Sequence, residues 1–155
     1  MYIDPHVHLR DFNQKHKETV KHGLEVARDS GVDAVFEMPN TDPPIMTREI
    51  VVERLKLVEQ ANVPEVFYGL YMGLTADENQ IREAVKIHNE LFPKVIGMKL
   101  YAGHSVGNLG VVTVENQKKV YRILGEENYK GVLAVHSEKE LEIESEKWNP
   151  VIPIS

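Results

Sequence analysis

The chain has 155 residues, 42% of them hydrophobic, no cysteine and a formal net charge of −6. This length predicts a single domain spanning residues 1–155 that is large enough to bury a core. The lack of cysteine excludes disulfides and thiolate metal sites, and the acidic balance argues against nucleic acid as a partner. No apolar run approaches the roughly 20 residues of a membrane span, and the N-terminus lacks a signal-peptide pattern. We therefore expect a cytoplasmic protein.

Short β-branched runs alternate along the chain with longer amphipathic segments. The short runs predict strands over residues 2–9, 33–38, 66–71, 95–101 and 131–136. Apolar residues spaced three and four apart predict helices over residues 15–30, 47–60, 75–91, 113–124 and 138–147. Gly31 occupies the position of a glycine that ends a helix, and Thr47 that of a residue that caps the start of one.

The alternation of strands and helices predicts an α/β fold with a parallel sheet and right-handed crossovers. Two ways of closing such a sheet agree with the pattern. One is an open, doubly wound sheet, and the other is a barrel of eight βα units, which needs about 250 residues. At roughly 30 residues per unit, this chain supplies only about five units.

Two histidines lie near the C-terminal end of the first predicted strand, which is where parallel α/β folds place their active residues. His6 and His8 are two residues apart, so their side chains point to the same side of a strand and are able to ligate one metal ion. Asp4 lies on the same side and is a candidate to orient an imidazole. A solvated histidine pair explains the same pattern, and the motif alone favours that simpler interpretation.

Lys99 and His136 lie at the ends of the fourth and fifth predicted strands. Lys99 is inside the apolar run VIGMKLY, where burial would lower the pKa of its ammonium group. A neutral amine can react with carbon dioxide to give a carbamate that bridges two metals; alternatively, the side chain extends to solvent at the strand end. A single histidine such as His136 is more often structural or solvated than a ligand. Tyr101 is expected to pack in the core.

Arg10 and Asn40 suit a ligand that carries a carboxylate. Arg10 follows His8 by two residues and has the fork geometry for a bidentate contact, although an ion pair with Asp11 is an alternative. Asn40 can donate to and accept from an amide or carboxylate, although Asn-Thr-Asp-Pro-Pro is also a natural turn. Each signal is weak by itself, but together these residues mark strand ends at one rim, where a binuclear metal site would be built.

Four segments, in the same order along the chain, resemble the dihydroorotases of the amidohydrolase superfamily. They are DPHVHLRDF (residues 4–12), MPNT (38–41), GMKLY (97–101) and VHSE (135–138). The resemblance implies a (β/α)8 TIM-type barrel and a binuclear zinc site. It also implies reversible conversion of N-carbamoyl-L-aspartate to dihydroorotate, a small-molecule reaction of pyrimidine biosynthesis.

The resemblance also implies a role for each candidate side chain. The implied metal ligands are His6 and His8 on one Zn²⁺, a carbamate on Lys99 that bridges both ions, and His136 on the other. Arg10 and Asn40 are the implied ligands of the substrate carboxylate. Related hydantoinases and allantoinases share the His-x-His pair but are not expected to combine it with this arginine and asparagine.

The family also uses a further histidine ligand and an aspartate that serves as general base, and neither follows His136 in this sequence. We therefore expect an incomplete barrel of about five βα units, the N-terminal part of the domain, with no catalytic acid or base within the chain and little turnover by it alone. Exposed edges on the first and last strands predict either homo-oligomerisation or pairing with a missing C-terminal half.

Two alternative functions remain open at this point. One is a non-catalytic dihydroorotase-like subunit, but the presence of all four implied ligands favours an enzyme. The other is an amidohydrolase of the hydantoinase or allantoinase type, which would bind a substrate without the carboxylate that Arg10 is expected to bind.

Overall fold

The computed structural model describes residues 1–105, 109–138 and 142. Within these residues, five strands form one parallel sheet: β1 (Ile3–Val7), β2 (Ala34–Glu37), β3 (Phe67–Gly73), β4 (Val95–Tyr101) and β5 (Val132–His136). One helix follows each of the first four strands: α1 (Val20–Asp29), α2 (Arg48–Ala61), α3 (Glu78–Leu91) and α4 (Val114–Glu126). A short 3-10 helix (Phe12–Gln14) precedes α1.

The spatial order of the strands is the same as their order along the chain, β1-β2-β3-β4-β5. A doubly wound sheet reverses its strand order at a switch point, whereas a (β/α)8 barrel does not. The described strands curl into a half-barrel with the helices on its outer side. The prediction of an incomplete TIM-type barrel is therefore confirmed, and the open doubly wound sheet is excluded.

The helix starts follow from local capping. Each of α1 to α4 begins after a residue whose side-chain oxygen accepts a hydrogen bond from an amide of the first turn, namely Thr19, Thr47, Asp77 and Thr113. These caps explain why α1 and α3 begin later than the periodicity predicts. Gly31 has a φ of +74°, which is the left-handed conformation that ends a helix. The predicted helix over residues 138–147 lies almost entirely outside the described residues.

The main apolar core lies between the sheet and its helices. Leu70 and Met72 of β3, and Met98 and Leu100 of β4, are fully buried in it. Because successive side chains of a strand point to opposite faces, the residues between them face the concave side of the half-barrel. Lys99 is one of these. No helix in the described part of the chain is long and apolar enough to cross a membrane.

Candidate metal and substrate site

His6 and His8 project from the concave side of β1. Their neighbours Val7 and Leu9 pack against the core on the helix side, so the two imidazoles point the other way. The ring centroids are 5.2 Å apart, with an interplanar angle of 61°. The Asp4 carboxylate accepts a hydrogen bond from the backbone N–H of His6, at 3.0 Å. The strand thus presents two histidine rings side by side.

Lys99 and His136 meet at the end of the β4–β5 pair. Tyr101 is the register partner of His136, and the two ring centroids are 6.0 Å apart. The Lys99 ammonium lies 5.1 Å from the centroid of the same Tyr101 ring. Lys99 is only 3% exposed, so it does not extend to solvent at the strand end, the alternative that spacing alone favours. Burial lowers the pKa of Lys99, which favours the neutral amine.

The concave face brings β1 close to β4 and β5. The pKa of His6 is lowered by burial and then by the charge of Lys99, and His136 contributes in the same direction. The pKa of His8 is lowered by burial first and then by the neighbouring Arg10 charge, and an interaction with the adjacent Asn40 side chain partly opposes the shift. A lowered pKa keeps an imidazole neutral at physiological pH, and neutral imidazole is the form that binds metals. The electrostatics therefore suit a cation site.

The described residues contain no group of three or more His, Cys, Asp or Glu side chains that could hold a metal ion, so His6, His8 and His136 do not converge on one ion. The predicted arrangement, a histidine pair on one ion and His136 on another, therefore depends on Lys99 for further oxygen ligands. The Nε2 atom of His136 lies 3.0 Å from Glu138 Oε1 and would have to exchange that contact for a metal. In contrast, Nδ1 of His8 is buried and has no hydrogen-bond partner. The types of donor present fit a zinc site in which Lys99 carries a carbamate.

Arg10 and Asn40 also lie together at this rim. The Arg10 guanidinium donates to the backbone oxygen of Asn40, at 3.1 Å. The expected alternative for Arg10, an ion pair with Asp11, is not the contact seen, because the Asp11 carboxylate accepts a hydrogen bond from the backbone N–H of Val20. The side-chain oxygen of Asn40 is buried without a hydrogen-bond partner. A buried oxygen of this kind is available to a ligand.

Tyr101, which the sequence pattern assigned to the core, lies beside Lys99 and His136 in the candidate site. It is 6% exposed, as a packing role requires, but its hydroxyl is buried without a partner. Burial raises the pKa of Tyr101 while the charge of Arg10 opposes the rise, so the hydroxyl stays protonated and able to donate. The only sequence signal for this role is its position two residues after Lys99, on the same face of β4.

Known proteins match this chain in sequence and in fold. A dihydroorotase of Archaeoglobus fulgidus is 32% identical over 139 residues, covering 88% of this chain and 32% of that protein. The L-hydantoinase of Arthrobacter aurescens superposes with a TM-score of 0.74 and 25% identity, covering 90% of this chain and 30% of that one. The Saccharomyces cerevisiae dihydroorotase in complex with 5-fluoroorotic acid gives a TM-score of 0.65 and 28% identity, covering 90% of this chain and 36% of that one. No protein-family model matches the chain.

The matched regions define how far the relationship extends. This chain spans about a third or less of the length of the relatives that it matches. Within that span the strand order agrees with the barrel that the resemblance implies. The chain is therefore similar in sequence to dihydroorotases, and similar in fold to a hydantoinase and a dihydroorotase, over the part of those proteins that it matches.

Proposed function

We propose that this chain supplies the metal-binding and carboxylate-binding part of a dihydroorotase active site. The observation that carries the proposal is a group of three unpartnered polar atoms at one rim, on His8, Asn40 and Tyr101. Most buried polar atoms in proteins have a hydrogen-bond partner, so such a group indicates a place that a ligand completes. The nearby Arg10 guanidinium gives this place a positive charge. The relatives act on cyclic amides, which agrees with a small polar ligand.

The proposed metal ligands are His6 and His8 for one Zn²⁺, a Lys99 carbamate between the two ions, and His136 for the second. Bound zinc would lower the pKa of a water molecule and polarise the ring amide carbonyl. The chain's own contribution is to keep both imidazoles neutral and to bury the Lys99 amine, so that these groups are available as ligands.

The substrate carboxylate is the feature that would distinguish dihydroorotate from other cyclic amides. Arg10 provides a fixed charge, and its fork of N–H groups matches two carboxylate oxygens. Asn40 and the protonated Tyr101 hydroxyl offer further polar contacts at the same rim. The second candidate is a hydantoinase, since a hydantoinase gives a TM-score of 0.74 against 0.65 for the dihydroorotase structure. We favour dihydroorotate because a charged arginine at the rim suits an anionic substrate.

The test combines zinc binding with ligand binding. The purified chain is loaded with Zn²⁺ in bicarbonate buffer, its zinc content is measured, and a Lys99 carbamate is sought by native mass spectrometry. Calorimetry then compares dihydroorotate with dihydrouracil, which has the same ring without the carboxylate. We expect His8→Asn to reduce zinc binding, and Arg10→Met to retain zinc but lose the preference for dihydroorotate. His16→Asn changes an exposed histidine outside β1 and is the matched control.

Two results would contradict the proposal. The first is zinc binding by His8→Asn equal to that of the wild type. The second is an affinity of the wild type for dihydroorotate no greater than its affinity for dihydrouracil, which would favour the hydantoinase alternative if both ligands bind.

We also propose that the sheet edges are covered by further protein, either a second copy or more strands of a complete barrel. In the described part of the chain, β1 and β5 each pair on one side only. Ile3 and Val132 on these strands are 44% and 55% exposed. An unpaired strand edge with exposed apolar side chains favours association with another chain. Light scattering coupled to size-exclusion chromatography measures the molar mass. A monomer that shows no concentration dependence would count against self-association.

A further inference from the structure

A buried ionic cluster lies on the helix side of the sheet, outside the site described above. Glu37 of β2 and Arg54 of α2 are both 0% exposed. The Nε atom of Arg54 donates to Oε2 of Glu37 at 2.7 Å, and its Nη2 atom donates to Oε1. Tyr68 of β3 donates its hydroxyl to the same carboxylate. Replacing a buried ion pair with apolar side chains is often neutral or stabilising, so stability alone does not account for this cluster.

The cluster of Glu37, Arg54 and Tyr68, called the buried triad below, holds the segment that follows β1. Oε1 of Glu37 accepts a hydrogen bond from the backbone N–H of Leu9, at 3.1 Å. Nη1 of Arg54 donates to the backbone oxygen of Arg10, at 2.8 Å. The same guanidinium lies 5.2 Å from the centroid of the Phe12 ring. The triad thus contacts three positions of a four-residue segment.

That segment has an unfavourable backbone conformation. Arg10, Asp11 and Phe12 have φ angles of +51°, +55° and +49°. Positive φ angles are unfavourable for residues other than glycine, and a residue held in such a sparsely populated region costs on the order of 1–3 kcal/mol. Such residues persist only when the surrounding structure over-determines them, and they cluster at functional sites. The contacts of the buried triad are among the constraints that the structure shows on Leu9, Arg10 and Phe12, together with the core packing of Leu9 and the hydrogen bond from Arg10 to Asn40.

We infer that the buried triad is a positioning unit that fixes the backbone after His8 and thereby aims the Arg10 guanidinium into the candidate site. Its three residues lie on the helix side of the sheet and act through the backbone of residues 9–12. The expected effect on ligand binding rests on the proposed function, in which Arg10 binds the substrate carboxylate. The expected effect on the backbone of residues 9–12 does not depend on any ligand.

The test removes both charges together, so that neither is left buried alone. The double variant Glu37→Leu/Arg54→Met is compared with Arg82→Met, which removes an arginine that pairs with three glutamates between α3 and α4. Amide hydrogen exchange at Leu9 is the first measurement. We expect exchange at this amide to be faster in the double variant and unchanged in the control. Equal protection of Leu9 in the wild type and in the double variant would overturn the inference.

Ligand binding is the second measurement. In the double variant, we expect the affinity of the zinc-loaded chain for dihydroorotate to fall by about 10-fold or more, the scale known for groups that orient a ligating residue. The affinity for dihydrouracil should change far less, because that ligand does not use Arg10. A purely structural role would weaken both ligands equally, and that result would overturn the ligand-binding consequence. If the wild type shows no preference for dihydroorotate, the proposed function fails while the exchange at Leu9 still decides the positioning role.

A milder variant keeps the inference testable if the double variant does not fold. Tyr68→Phe removes one hydrogen-bond donor to Glu37 and leaves both charges paired. We expect a smaller change in the same direction, with faster exchange at Leu9 and weaker discrimination between the two ligands. An exchange rate at Leu9 equal to that of the wild type in this variant would contradict the inference.

Discussion

Gly97 of β4 lies where the fourth and fifth strands approach most closely beneath the site. A Cβ atom at this position would stand 2.5 Å from the backbone oxygen of Val132 and 3.2 Å from the Tyr71 ring. A change of rotamer cannot relieve the first contact, because it involves backbone and Val132 is the register partner of Gly97. Overpacking of this kind costs about 1–3 kcal/mol. We therefore expect Gly97→Ala to lower the free energy of unfolding by that amount.

The same substitution elsewhere in the chain provides the control. Gly125 lies in the last turn of α4, and a Cβ atom there would meet nothing within 4 Å. Gly125→Ala should therefore raise the free energy of unfolding by about 0.5–1 kcal/mol, the usual gain for alanine over glycine in a helix. Urea unfolding measures the change in the free energy of unfolding for both variants, provided that their m-values equal that of the wild type. The reasoning is refuted if Gly97→Ala is as stable as the wild type, or if the two substitutions shift the midpoint alike.

Three further predictions concern titration and capping. Burial lowers the pKa values of His6 and His8 from 6.5, so the unfolded chain binds more protons than the folded chain as the pH falls below 6.5. The metal-free protein should therefore lose stability as the pH falls from 6.5 towards the lowered pKa values. Urea unfolding at several pH values should show a smaller loss of stability for His8→Asn than for the wild type. Lys99→Met should raise the free energy of unfolding at pH 7, because it removes a charge that burial disfavours. This gain should shrink as the pH rises towards 10.5, where the amine of the unfolded wild type also loses its proton. A gain that does not vary with pH would contradict burial of the charge as its cause. Thr113→Ala should cost about 1 kcal/mol by removing the cap of α4, and Thr113→Ser, which keeps the hydroxyl, should restore most of it in thermal unfolding.

The sequence was informative wherever a local pattern dictates structure. The run VIGMKLY gave the bounds of β4, and in the structure that strand spans Val95–Tyr101 as predicted. The threonine before α2 correctly indicated where that helix begins. Local spacing and capping chemistry were sufficient for these elements because neither depends on distant parts of the chain.

The sequence was uninformative about contacts that depend on how elements pack. Nothing local indicates that Arg54 of α2 returns to β2 and meets Glu37, since that pairing requires the helix to dock on the sheet in one register. The hydrogen bond from the His6 backbone N–H to the Asp4 carboxylate is likewise not signalled by any local pattern. The unpartnered hydroxyl of Tyr101 was also missed, because a burial pattern does not reveal whether a polar atom finds a partner.

The two sides of the half-barrel treat their polar groups differently, and this contrast links the fold to the site. On the helix side, both oxygens of the Glu37 carboxylate accept hydrogen bonds, from Leu9, Arg54 and Tyr68. On the concave side, polar atoms of His8, Asn40 and Tyr101 are buried without partners, and they are three of the five such side-chain atoms found in the described residues. Each unsatisfied group costs roughly 1–3 kcal/mol. Pairing the concave-side atoms with a ligand would remove that cost, so zinc or dihydroorotate should raise the unfolding temperature of the wild type more than that of His8→Asn.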